Sequence, residues 1–105
     1  MSDILKRLEQ VIESRRGAGA GSSYVASLFA KGEKKIAEKV GEEAVETVIA
    51  ALGDDKAELT AEVADLIFHL LILLNEKGVS MSDVEAELAR REGLSGHDEK
   101  AARTK

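Results

Sequence analysis

At 105 residues the chain holds one domain, and a lone subunit of this size buries a limited share of its surface, which favours association with a second copy. It has no Cys, so disulfides, thiolate zinc sites and cysteine nucleophiles are excluded, and any metal must be held by oxygen or imidazole ligands; oxygen favours hard cations such as Mg²⁺ or Mn²⁺. A net charge of -5 argues against a nucleic-acid binder, and an anionic substrate would need local basic groups or metal ions.

The opening Met1-Ser2-Asp3-Ile4 is not a basic stretch followed by an apolar run, so no secretion signal is expected. The longest apolar stretch, Leu66 to Leu74, is interrupted by His69 and falls far short of the ~20 residues of a membrane span. A soluble cytoplasmic protein is the resulting expectation. Zero Pro and abundant Ala, Leu, Glu and Lys suit helices, with Gly where they should stop. The first helix is expected from about Asp3 to Arg16, with Ile4, Leu5, Leu8, Val11 and Ile12 on one face and Gly17 behind it. Gly17 to Gly21 reads as a flexible link. It lacks the Gly-Lys-Ser/Thr ending of a P-loop and any preceding strand, so it is not read as a phosphate cradle.

Ser22 or Ser23 should cap a short helix through Ala30, closed by Gly32, and Glu33 opens a longer one to Leu52 before Gly53. Asp54 or Asp55 caps a fourth helix, which reaches about Lys77 before Gly78. The fifth is expected to start with the capping box Ser82-Asp83-Val84-Glu85 and to stop at Gly93. The two long helices, joined by a short turn, should form an antiparallel hairpin. The expected fold class is therefore all-α: a hairpin-based bundle of about five helices over residues 1–93, completed by homodimerisation, with a polar, loosely ordered tail over 94–105.

On a helical wheel Ile36, Val40, Ala44, Thr47, Val48 and Ala51 form one apolar stripe of the third helix, with Glu43 and Glu46 along its edge and Glu42 further round. The fourth helix is apolar over most of its circumference, and Glu58, Glu62, Asp65 and His69 fill the one narrow polar stripe left. Carboxylates enclosed in this way carry a large desolvation cost unless they are paired or bound to a cation. Glu43 with Glu46, and Glu62 with Asp65, are each spaced i and i+3. Two such pairs on antiparallel helices bring four carboxylates to one point, enough for one Mg²⁺ or a close cluster. The competing reading is a set of ordinary charges on solvated helix faces, strongest for Glu42, Glu43 and Glu46. For His69 the choice lies between bonding a ligating carboxylate or the substrate and being a satisfied core residue.

The runs Ser23-Tyr24-Val25-Ala26-Ser27-Leu28, Lys34 to Glu46 with its Lys39-Val40-Gly41-Glu42-Glu43 centre, Glu62 to Leu71, Asp83 to Leu88 and Gly93 to Gly96 resemble the phosphoribosyl-ATP pyrophosphohydrolases of histidine biosynthesis. Nearly the whole chain takes part. That family falls among the all-helical nucleoside triphosphate pyrophosphohydrolases, with their Glu-Glu-x-x-Glu and Glu-x-x-Asp pattern. The resemblance implies Mg²⁺ dependence, with Mn²⁺ able to substitute, a homodimer, and cleavage of phosphoribosyl-ATP between its α and β phosphates. It implies Glu43, Glu46, Glu62 and Asp65 as metal ligands and Glu42 as an outlying group or the base for the attacking water. Lys35 and Lys39, beside these acids, are the candidate phosphate-binding cations.

Two other functions compete. A house-cleaning pyrophosphohydrolase of the same superfamily would share the metal chemistry and differ only in substrate. A non-catalytic helical dimerisation module would use the apolar fourth helix for association and bind no Mg²⁺ or Mn²⁺. A ferritin-like di-iron protein fits less well, because neither Glu46 nor Glu62 has a His three residues later.

Overall fold

The computed structural model describes residues 3–93, which form helices and no strands. The order is α1 (Asp3–Arg15), a 3₁₀ turn (Ala20–Ser22), α2 (Tyr24–Lys31), α3 (Glu33–Ala51), α4 (Lys56–Glu76) and α5 (Met81–Arg91). The tail expected over 94–105 lies outside the described residues.

Side-chain caps decide between the alternatives left open by the sequence. Ser23 Oγ accepts the Ala26 N–H at 3.0 Å, and one Asp55 oxygen accepts the N–H groups of Ala57 at 3.0 Å and Glu58 at 3.1 Å. Each satisfies amides that the helix itself cannot. Gly32 closes α2 and opens α3 with no residue between them, at φ 97, a conformation in which a side chain would be strained. The Gly17–Gly21 link is more ordered than expected. Ser22 bonds the Gly19 carbonyl through both its N–H, at 2.8 Å, and its hydroxyl, at 2.7 Å, and so closes the 3₁₀ turn.

The fifth helix corrects the expected capping box. The box is Ser80 with Asp83, Ser80 Oγ accepting the Asp83 N–H and Asp83 Oδ2 accepting the Ser80 N–H, and not Ser82 with Glu85. Both pairs fit the motif; the end of α4 selects the earlier one. Past Gly78 the Val79 N–H turns back to the Leu74 carbonyl at 2.9 Å, and Glu9 captures the Met81 N–H, so Ser80 is the residue left at the cap.

The core joins Ile12 of α1, Val25 and Leu28 of α2, Ile36 of α3, and Leu71 and Ile72 of α4. Leu5 and Leu8 pack against it, whereas Ile4 and Val11, expected on the same face of α1, are over 40 % exposed. The covered strip is narrower than the apolar face. Lys77 pairs with Glu33 at 2.8 Å, tying the end of α4 to the start of α3 as an antiparallel hairpin requires. Arg16 donates to Asn75 Oδ1 at 2.8 Å and lies over the Phe29 ring, which fastens the end of α1 to α4. Ile72 is fully buried. Ile72→Ala is expected to cost about 2–5 kcal/mol, a large part of a small domain's stability, and denaturant unfolding will measure it.

Candidate carboxylate site

The face that α3 turns to α4 follows Ile36, Val40, Glu43, Thr47 and Ala50, alternating steps of four and three as in antiparallel helix packing. This corrects the expected stripe. Val48 is 59 % exposed and Ala51 is also exposed, while Glu43, expected at the edge, is buried at 7 %. The wheel misleads here because α3 has a second apolar face, Val45, Val48, Ile49 and Leu52, directed away from α4.

Thr47 fixes the register at this point. Its hydroxyl oxygen lies 2.8 Å from the Glu43 carbonyl and 3.3 Å from the Glu62 carbonyl, so its one hydrogen is shared between the two helices. Glu43 is thereby set opposite the Glu62–Asp65 turn of α4. Glu43, Glu62 and Asp65 each bring a carboxylate oxygen within 4.8 Å of the others, running from buried Glu43 through half-buried Glu62 to exposed Asp65. Glu46 stands outside this trio but beside it, close enough to act on both Glu43 and Glu62.

Electrostatics record the crowding. Burial pushes the Glu43 carboxyl above its ordinary range, the Glu46 carboxyl next to it and then Asp65 push it further, and His69 opposes them. Glu62 is raised by burial first, then by Glu46, Asp65 and Glu58. Glu43 Oε2 is buried with no hydrogen-bond partner. A buried carboxylate oxygen left unpaired among three further acids is costly, and a hard divalent cation is the kind of partner that relieves it. The donor set therefore fits Mg²⁺ or Mn²⁺.

The other residues marked in the sequence divide. Glu42 is exposed, accepts a bond from Lys39 Nζ at 3.2 Å, and is lowered by that bond. Lys39 also stands 3.9 Å from Glu43, at the rim of the cluster. Lys35 instead pairs with Glu38 at 3.1 Å, and neither belongs to the Glu43, Glu62 and Asp65 trio. Glu38→Gln should leave activity and melting temperature near wild type, and pyrophosphate-release and melting measurements on that variant check this.

His69 is 5 % exposed and both of its ring nitrogens are engaged. Nδ1 lies 2.7 Å from the Asp65 backbone carbonyl and Nε2 lies 2.7 Å from the Tyr24 hydroxyl. It is a satisfied buried residue and at the same time part of the wall of the cluster. Tyr24 was absent from the candidates drawn from the sequence. Burial raises its hydroxyl; Lys39 opposes this, while Glu43, Asp65 and Glu42 add to it. The signal available was its place in the Ser23–Leu28 run as the single Tyr of the chain.

No helix among the described residues is long and apolar enough to cross a membrane. The family model described as phosphoribosyl-ATP pyrophosphohydrolase matches residues 5–92, which include every candidate site residue. A phosphoribosyl-ATP pyrophosphatase of Rhizorhabdus wittichii is 60 % identical over all of this chain and 99 % of its own length. One from Erythrobacter litoralis is 66 % identical over 96 % of this chain and 97 % of its own, and one from Zymomonas mobilis subsp. mobilis is 59 % identical over 98 % and 96 %. With the match running through both long helices and both acidic motifs, the chain belongs to the phosphoribosyl-ATP pyrophosphohydrolase family.

Proposed function

We propose that this chain is the enzyme of histidine biosynthesis that hydrolyses phosphoribosyl-ATP to phosphoribosyl-AMP and pyrophosphate, working in the cytoplasm as an Mg²⁺-dependent homodimer, with Mn²⁺ able to replace Mg²⁺. The observation that carries the site assignment is the unpaired, buried Glu43 Oε2 facing Glu62 and Asp65. Glu43, Glu46, Glu62 and Asp65 hold the cation. A bound Mg²⁺ would supply charge neutralisation for the triphosphate and activation of water.

The protein's own groups do the rest. Lys39, at the rim of the cluster, and Lys35, one turn earlier on α3, bind phosphate oxygens. A phosphate that takes Lys39 loosens its bond to Glu42 and so weakens the largest of the contacts that lower the Glu42 carboxyl. Glu42 accepts the proton of the attacking water as the new P–O bond forms and the bond to the departing pyrophosphate breaks. His69 keeps α2 joined to the Asp65 turn. Lys39→Gln should raise KM for phosphoribosyl-ATP by roughly tenfold or more, in keeping with the loss of a charge-assisted hydrogen bond. Steady-state kinetics on this variant will show it.

The homodimer is supported by what one chain leaves uncovered. Val48, Ile49 and Leu52 on α3 are 59 %, 63 % and 83 % exposed, and Ile67 and Leu70, within the Leu66–Leu74 run, are over a third exposed. Apolar surface on this scale favours a partner. Sedimentation should give a dimer at micromolar concentration; a stable monomer there contradicts it.

Pyrophosphate release from phosphoribosyl-ATP, dUTP, dCTP and ATP tests the substrate. Turnover strongly favouring phosphoribosyl-ATP is expected. Preference for a free nucleoside triphosphate indicates the house-cleaning activity, and no turnover together with no metal binding indicates a dimerisation module.

A further inference from the structure

The face of α3 packed on α4 carries two polar side chains, Glu43 and Thr47, among Ile36, Val40 and Ala50. Glu43 has its reason in the carboxylate cluster. Thr47 needs one of its own, because Val shares its branched shape and much of its helix preference, and would fill a half-buried contact position with no hydroxyl to satisfy. Other helical hydroxyls show the ordinary arrangement: Ser14, Ser27 and Thr60 each donate to a carbonyl one turn back on their own helix, those of Val11, Tyr24 and Lys56. Thr47 has that bond, to Glu43 at 2.8 Å, and also lies 3.3 Å from the Glu62 carbonyl across the hairpin. The two carbonyls belong to the acids that face each other from α3 and α4, and with Asp65 their carboxylate oxygens lie within 4.8 Å of one another.

We propose, resting on the cation site described above, that Thr47 is a positioning residue for the divalent cation: its shared hydroxyl hydrogen holds the backbones of Glu43 and Glu62 at the spacing at which their carboxylates close on one ion. Carbonyls inside a helix accept an N–H of that helix, so neither Glu43 nor Glu62 needs the hydroxyl to be satisfied. What the hydroxyl adds is a tie between the two helices. A methyl group in its place offers Glu62 no hydrogen and needs more room against a carbonyl oxygen, so the helices ease apart at the level of the acids. Glu43 cannot follow such a change, because it is buried and its Oε2 has no partner to move with. Its place relative to Glu62 and Asp65 is set by the backbone, and groups that orient metal ligands in this way govern how tightly the metal is held.

Mn²⁺ binding to the full chain, followed by the electron paramagnetic resonance of free Mn²⁺, tests this on wild type, Thr47→Val, Thr47→Ser and Thr47→Ala, each also melted in the presence of a chelator. Thr47→Val should bind Mn²⁺ about tenfold or more weakly than wild type, and Thr47→Ala should fall below Thr47→Ser by a similar factor. Thr47→Ser, which keeps the hydroxyl, should stay within about threefold of wild type. Metal-free melting should sort the proteins differently, with wild type and Thr47→Val above Thr47→Ser and Thr47→Ala, since it follows the apolar bulk at a half-buried position. A residue that only packs would move affinity and stability together. A Mn²⁺ affinity of Thr47→Val within twofold of wild type, or a loss in Thr47→Ser as large as in Thr47→Ala, overturns the proposal. Should Thr47→Val fail to fold, the comparison of Thr47→Ser with Thr47→Ala decides by itself. A wild type that binds no Mn²⁺ refutes the cation site and this proposal with it, whereas binding that is equal in all four proteins refutes the role of Thr47 alone.

Discussion

Glu62→Gln and Asp65→Asn should each lower pyrophosphate release by about two to three orders of magnitude while the chain stays folded. Both substitutions keep side-chain shape and helix, and both remove the charge that a hard cation demands of its ligands. Neither position is part of the apolar cluster that holds the helices together. Glu62 is half-buried and raised first by that burial and then by its acidic neighbours, and Asp65 is exposed. Removing one charge relieves repulsion on the others, so the metal-free melting temperature should be equal to or above that of wild type. The expected signature is a pairing of lost activity with kept or gained stability, which damage to the fold does not produce. Full activity in either variant means that these acids do not hold the working metal.

Glu43→Gln is expected to abolish activity as well, with a pH signature of its own. Glu43 is the one acid of the cluster buried in the packed face of α3, and its carboxyl is raised above the ordinary 4.5 by burial and by Glu46. The folded chain thus holds that proton more tightly than the unfolded chain does. Below the unfolded value both states are protonated and burial costs little. As pH rises through the raised folded value the buried group must ionise, and stability falls relative to a chain without it. Metal-free Glu43→Gln should therefore melt close to wild type near pH 4 and increasingly above it toward pH 7. A gap that is constant across this range, or one that closes toward pH 7, contradicts the assignment of Glu43 as the strained member. Melting curves at a series of pH values in the presence of a chelator provide the measurement.

Much of this arrangement was legible in the residues. Capping side chains and glycines marked every helix to within a few residues, because those signals are local: Ser23, Asp55 and Gly32 do in the structure what their chemistry predicts. Glu62, Asp65 and His69 stood out because an otherwise apolar helix left them a single stripe. The rotation of α3 was not legible. Its two apolar faces are equivalent on a wheel, and only packing against α4 shows that Glu43 belongs to the inner one and Val48 to the outer one. Ser80 displaced Ser82 as the cap of α5 for a similar reason, since the choice depends on how α4 ends and on Glu9 from α1. Tyr24 escaped notice because its partner lies 45 residues away, and no local spacing reports such a bond.

In the proposed enzyme the acids of α3 and α4 hold the divalent cation. Thermal melting with and without Mn²⁺, on wild type, Glu62→Gln, Asp65→Asn and Glu38→Gln at equal protein concentration, tests it most directly. Mn²⁺ at a hundred times its Kd stabilises a one-site protein by about 2.7 kcal/mol. For a domain of this size that is a rise on the order of 10 °C. The rise should appear in wild type and in Glu38→Gln and be absent or much reduced in the two site variants. Equal stabilisation of all four proteins, or of none, would contradict the account.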